Sequence, residues 1–201
     1  MTVTRQTPSP ERDAHILYVA AVSEELGDLP GESLGVGALV AGVQMARLLS
    51  ELRPRGVIMV GTGGAYEGSV PIGSACVARR VGYTSSAARM GLGYTPRPPD
   101  PVLCEQSLVE ESGLPVVDVL TVSAITTDRL LGQRLADGWQ VEHLEAFGAA
   151  WACAQAQVPF ALVLGISNEV GPEAHVQWLT HRDAAQDAAR LAVSPLSSSS
   201  Q

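Results

Sequence analysis

The strongest constraint on this chain is an alternation, in which short unbroken apolar runs are separated by segments whose apolar residues recur at helical spacing. Residues 16–22 (ILYVAAV) are far shorter than the roughly 20 residues that span a bilayer, and such a run suits a strand covered on both faces. After Gly35 and Gly37, residues 38–52 place Val40, Val43, Ala46, Leu49 and Leu52 on a helical stripe that Pro54 ends. Residues 57–60 (VIMV) read as a second buried strand, running directly into Gly61-Thr62-Gly63-Gly64. Glycines at the end of a buried strand let backbone approach a ligand, because no side chain blocks it; the alternative is a tight turn with no ligand.

Further strands are expected over residues 75–81, 115–122 and 160–166, and helices over 103–112, 144–157 and 175–193. Ser167-Asn168 is expected to open a loop after the last strand. Parallel strands need a crossover, and helices of this length supply it, so the pattern implies one three-layer α/β/α domain around a mixed, mainly parallel sheet. That domain is expected over residues 14–193. A flexible tail is expected over 1–13 and a disordered one over 194–201, where Ser194-Pro195 leads into Leu196, four serines and Gln201.

Composition narrows the partners. With 201 residues, 46% of them hydrophobic, the chain can bury a sizeable core. A formal net charge of −8 repels nucleic-acid backbones and anionic membranes, which leaves a small molecule as the expected partner. Cys76, Cys104 and Cys153 are widely spaced and odd in number, so reduced thiols are expected and a disulfide framework is not. No metal-ligand spacing and no cofactor motif is present, and the polar start lacks the apolar segment of a secretory signal, so a cytoplasmic location is expected.

Three segments carry a resemblance. Gly35-Val36-Gly37, the helix, residues 57–60 and Gly61-Thr62-Gly63-Gly64-Ala65-Tyr66-Glu67-Gly68 resemble the glycine turn, helix, strand and glycine loop of purine nucleosidases. Val141-Glu142-His143-Leu144-Glu145, followed by Ala146, Gly148, Ala149 and Ala150, is similar to that family's ribose-binding helix start, with Leu144 where a methionine is usual. Pro159-Phe160, the run from Gly165 through Ser167-Asn168 to Gly171, and Trp178 look like the futalosine hydrolase ending. With Ala20-Ala21-Val22-Ser23-Glu24-Glu25-Leu26, these segments stand in family order and cover most of residues 16–193. The chain therefore resembles the nucleoside phosphorylase and nucleosidase superfamily, and within it the futalosine hydrolase-like nucleosidases.

The resemblance implies the nucleoside phosphorylase fold, no cofactor, a homodimer or higher homo-oligomer, and hydrolysis of a purine nucleoside, first a futalosine-like one of menaquinone biosynthesis. A methylthioadenosine or adenosylhomocysteine nucleosidase and a non-catalytic nucleoside-binding homologue are the alternatives. It implies Glu25 as the carboxylate that activates water, Glu145 as a clamp on two adjacent sugar hydroxyls, and Asn168 facing the leaving base. Thr62, Gly63, Gly64, Leu144 and Ser167 would line the substrate, and Thr126, in the stretch 121–128, would line the base pocket. These types suit the chemistry, since breaking an N-glycosidic bond passes through an oxocarbenium-like sugar that needs a positioned water and accommodating charges.

Other readings of the same residues remain open. Glu24 and Glu25 could simply be acids in a first helical turn, where the macrodipole favours them. Glu145 could be an ordinary helix-surface glutamate, although its neighbours are apolar. Scattered histidines (His143, His175, His181) read as surface or structural residues, and Trp139, Trp151 and Trp178 as packing residues. Two departures stand out. Where relatives carry an arginine this chain has Leu164, which cannot hold an anion and so disfavours phosphorolysis. Only about ten residues lie between Glu25 and Gly35, where relatives place a strand pair, so the sheet is expected to be trimmed there.

Overall fold

The computed structural model describes residues 13–105, 107 and 113–198. In chain order the elements are β1 (Asp13–Ala20), α1 (Ser23–Leu26), β2 (Gly31–Ser33), α2 (Ala38–Leu52), β3 (Pro54–Ala65), β4 (Ala75–Tyr83), α3 (Ser86–Arg89) and β5 (Val102–Leu103). They continue with β6 (Val116–Thr121), α4 (Arg129–Leu135), β7 (Val141–His143), α5 (Ala146–Gln155), β8 (Phe160–Glu169) and α6 (Ala174–Ser198).

The apolar runs become the middle of one mixed sheet in the order β2-β1-β3-β7-β6-β4-β5, with β8 pairing both β3 and β4. Pairs β1–β2, β1–β3, β3–β8, β4–β6 and β6–β7 are parallel, whereas β3–β7, β4–β5 and β4–β8 are antiparallel. The pairings β3–β8–β4–β6–β7–β3 close a ring, and this closure gathers the ends of β3, β7 and β8. The fold class is the expected one, a single α/β domain whose mainly parallel sheet is flanked by helices.

Packing explains why the runs are unbroken. Val57, Ile58, Met59 and Val60 of β3 and Ala161, Leu162, Val163 and Leu164 of β8 are all buried, as strands covered on both faces require. Helix α6 lies along β8 and β3, while α2 packs on α5. That last contact depends on Gly148, where a Cβ would fall 1.9 Å from the Ala38 carbonyl oxygen. Only glycine lets the two helices approach so closely.

Several boundaries differ from expectation. β8 does not give way to a loop at Ser167. It runs on to Glu169, because β3 continues beside it and pairs Gly64 with Asn168 across a register shift after Gly63 and Ile166. One extra residue on β8 is a bulge, which re-aims side chains at a strand end. Residues 141–143, expected to lead into a helix, form β7, and the helix starts only at Ala146. Of the helix expected over 103–112, Leu103 belongs to β5, while 106 and 108–112 lie outside the described residues. Helix α6 continues past 193 through Ser194 and Pro195 to Ser198, forgoing the hydrogen bond Pro195 cannot donate. Residues 1–12 and 199–201 of the two expected tails lie outside the described residues. Between α1 and α2 the described chain forms one strand, the three-residue β2 at the sheet edge, in line with a trimmed sheet.

Candidate active site

Glu25 sits in α1, whose four residues are separated from the end of β1 by two residues. Its side chain is buried and turned towards β3. Oε1 accepts from the Thr62 N–H (3.0 Å) and the Thr62 hydroxyl (3.3 Å), and Oε2 accepts from the Ala21 N–H (3.2 Å). Gly61 allows this, since its Cα faces the same carboxylate. Burial raises the Glu25 pKa above its ordinary 4.5; His143 and the Thr62 N–H oppose the shift, and the charge of Glu145 adds to it. Glu25 does lie in a first helical turn, yet its carboxylate points inward rather than to solvent.

Glu145 occupies the residue before α5 and is 5% exposed, which removes the reading as a solvated surface glutamate. Oε1 accepts from the Gly37 N–H at 2.8 Å, at the point where the glycine turn enters α2. Oε2 stands 3.3 Å from His143 Nδ1. That nitrogen already receives the N–H groups of Glu145 and Ala146, both at 3.1 Å, so it acts as an acceptor rather than as one half of an ion pair. Among the described residues no group donates to Oε2, which leaves an open acceptor in a buried place.

Asn168 lies on β8 beyond the bulge, opposite Gly64. A Cβ at Gly64 would come within 2.8 Å of Asn168 Nδ2, so glycine here makes room for the amide. The Ser167 hydroxyl lies 2.9 Å from Asn168 Oδ1 and 3.4 Å from the Gly63 carbonyl, and Asn168 Nδ2 donates to the Glu169 carbonyl at 3.2 Å. This network fixes the amide orientation and leaves the second Nδ2 hydrogen free for an incoming acceptor. Gly64 also pairs with Glu142 of β7, so β3 stands between the Asn168 strand and the strand that leads to Glu145.

Thr126 is buried, and its N–H donates to Glu142 Oε1 at 3.0 Å. Glu142, also reached by the Tyr66 hydroxyl, is raised above its ordinary pKa by burial. Leu144 is half-buried against the small cluster of Tyr66, Leu120, Val122 and Leu135. Leu164 is fully buried in β8 and brings no cation to the site. Arg190 of α6 instead donates to the carbonyls of Glu24 (3.0 Å) and Glu25 (3.3 Å), pinning the short α1 to the last helix.

Set beside known proteins, residues 29–196 match the model of the Phosphorylase superfamily. The chain belongs to that superfamily. A 5'-methylthioadenosine/S-adenosylhomocysteine nucleosidase of Staphylococcus aureus is 23% identical over 181 residues, covering 82% of this chain and 78% of the relative. Among solved structures, a nucleosidase of the same description from Colwellia psychrerythraea 34H, in complex with adenine, superposes with a TM-score of 0.77 at 17% identity, covering 89% of this chain and 92% of that one. A futalosine hydrolase mutant of Helicobacter pylori strain 26695 gives 0.79 at 13% identity, covering 92% and 98%. At these identities the superpositions establish the superfamily fold.

Sequence reasoning placed Glu25, Thr62, Gly63, Gly64, Glu145, Ser167 and Asn168 in one site, and the structure brings them to adjoining strand and helix ends. It missed His143, which is buried at the end of β7, unlike the exposed His175. Its position two residues before Glu145 was the available signal. The tryptophans divide. Trp139 lies against Gly82 under Arg80, Trp151 stacks on Phe147, and Trp178 donates from Nε1 to the Thr62 hydroxyl at 3.4 Å. No helix among the described residues is long and apolar enough to cross a membrane, and no cluster of three or more possible metal ligands occurs among them.

Proposed function

We propose that this protein hydrolyses the N-glycosidic bond of a purine nucleoside. The observation that carries the reading is the pairing of two buried carboxylates, Glu25 bonded to Thr62 and Glu145 with an open oxygen, at strand ends that also hold Asn168. In this reading Glu145 receives the two adjacent ribose hydroxyls. Glu25 takes the proton of the attacking water, for which its raised pKa suits it, while Thr62 orients that carboxylate. As the water oxygen bonds to the anomeric carbon, the bond to the base breaks and its electron pair leaves with the purine. Asn168 donates a hydrogen bond to the departing ring nitrogen but cannot transfer a proton. Thr126, Ser167, Gly63 and Gly64 line the substrate, and Leu144 lies beside the sugar.

The lack of a proton donor at Asn168 favours a base that leaves as a stabilised anion, so a 6-oxopurine nucleoside of the futalosine type is the preferred substrate. The Staphylococcus aureus relative supports a second reading, a methylthioadenosine or adenosylhomocysteine nucleosidase. Buried, apolar Leu164 favours water over phosphate as the nucleophile in either case. The chain acts in the cytoplasm and pairs with a second copy of itself through the apolar face of α2 and α5, where Leu39, Val43 and Trp151 are exposed. Base release followed by chromatography over a nucleoside panel, with and without phosphate, tests the assignment. Turnover without phosphate, fastest on a 6-oxopurine nucleoside, is expected; turnover that requires phosphate contradicts it.

A further inference from the structure

The start of helix α5 divides its labour in an unusual way. A helix leaves its first four N–H groups without intrahelical partners, and the side chain of the residue before it normally satisfies one of them. That residue here is Glu145, whose carboxylate makes no such bond. The four donors are nevertheless all satisfied. The N–H groups of Glu145 and Ala146 both go to His143 Nδ1 (3.1 Å), Phe147 N–H goes to the Thr121 hydroxyl (2.9 Å), and Gly148 N–H goes to the Glu145 carbonyl (2.9 Å). Thr121 and His143 are direct register partners at the ends of the parallel strands β6 and β7, so both caps come from one rigid edge.

We infer that His143 is a positioning residue which, with Thr121, caps helix α5 in place of Glu145 and so frees the Glu145 carboxylate to bind a ligand hydroxyl. Without these caps, the nearest acceptor for the orphan N–H groups is the Glu145 side chain, which would fold back onto its own helix and leave the site. The two N–H groups aimed at Nδ1 also set the imidazole tautomer, placing the ring proton on Nε2. The hydroxyl-binding part of the inference rests on the nucleosidase reading, whereas the capping part does not.

The test compares wild type with His143→Leu, His143→Asn and Thr121→Val, in nucleoside kinetics and in the imidazole 15N spectrum of histidine-labelled wild-type protein. Leucine removes the acceptor, and KM for a purine ribonucleoside is expected to rise about tenfold while kcat changes little. Asparagine restores an acceptor near the Nδ1 position and returns KM towards the wild-type value. Thr121→Val, which stands in if the leucine variant does not fold, raises KM by about threefold. The spectrum is expected to give His143 as the Nε2–H tautomer. Unchanged KM in the leucine or valine variants of a wild type that turns over, or an Nδ1–H tautomer, overturns the inference. A wild type that neither releases base nor binds nucleoside overturns the nucleosidase reading and the hydroxyl-binding role with it, and the tautomer still decides the cap.

Discussion

Glu25 and Glu145 are both buried carboxylates at helix starts, and they are held in opposite ways. Glu25 rides on a helix of four residues, too short to fix it, and its position comes instead from the Thr62 N–H and hydroxyl, the Ala21 N–H and the grip of Arg190 on the carbonyls of α1. Three of a carboxylate's roughly four acceptor positions are thereby filled. Glu145 stands before a ten-residue helix whose donors are satisfied by other groups, and it accepts one bond, from Gly37. One carboxylate is saturated and fixed, which suits a base that must meet a single water. The other is under-satisfied, which suits a group that waits for two hydroxyls.

The contrast is broken most sharply at Glu25. Glu25→Gln keeps an acceptor for Thr62 but cannot take a proton, so kcat for base release is expected to fall by about 10²–10⁴ with KM little changed. A rise in KM with kcat intact would mean that the two carboxylates have exchanged roles. Glu145→Gln should do the converse, raising KM for ribonucleosides by roughly tenfold or more, as expected for a lost hydrogen bond to a charged group. The same variant should lose the preference for a ribonucleoside over its 2'-deoxy analogue; a retained preference in competition assays would place the sugar elsewhere.

Stability sharpens the same comparison through pH. An acid whose folded pKa lies above its unfolded value binds more protons in the folded state, so its contribution to stability is lost as pH rises from 4.5 through the raised value. Melting curves should therefore show Glu25→Gln gaining on wild type as pH rises across that window, and a difference that is flat with pH would deny that Glu25 is strained by burial. A smaller effect is expected at Gly148→Ala, where the clash with the Ala38 carbonyl should cost about 1–3 kcal/mol in denaturant titrations. The least, about threefold in kcat, is expected for Thr62→Val, which removes the 3.3 Å hydroxyl contact and keeps the backbone one.

The sequence conveyed those parts of the fold that depend on periodicity. The runs at 16–22, 57–60 and 160–166 read as covered strands, the first of which ends at Ala20, and the stripe from Val40 to Leu52 read as a helix, because each pattern extends over enough residues to specify its period. β2 and β7, three residues each, and the turns of α1 and α3 carry too few residues for any period to appear. The extension of β8 through Ser167 and Asn168 was hidden for another reason. It depends on a neighbouring strand, β3, continuing beside it, and that is a pairing no local pattern encodes.

The site was legible to the extent that motif order carries it. Glu25, Thr62, Glu145 and Asn168 were named from the segments that resemble purine nucleosidases, and the structure sets them at adjoining element ends. What composition and motif could not convey was who satisfies whom. His143 looked like one scattered histidine among several until its Nδ1 was seen to receive two N–H groups, and Gly37 looked like a turn residue until its N–H met Glu145.

A crystal structure with a non-hydrolysable purine ribonucleoside analogue tests the central claim most directly. The account predicts both ribose hydroxyls on Glu145, a water between Glu25 and the anomeric carbon, and Asn168 Nδ2 on the purine ring. An analogue bound away from Glu145, or oriented with its sugar towards Asn168, would contradict it.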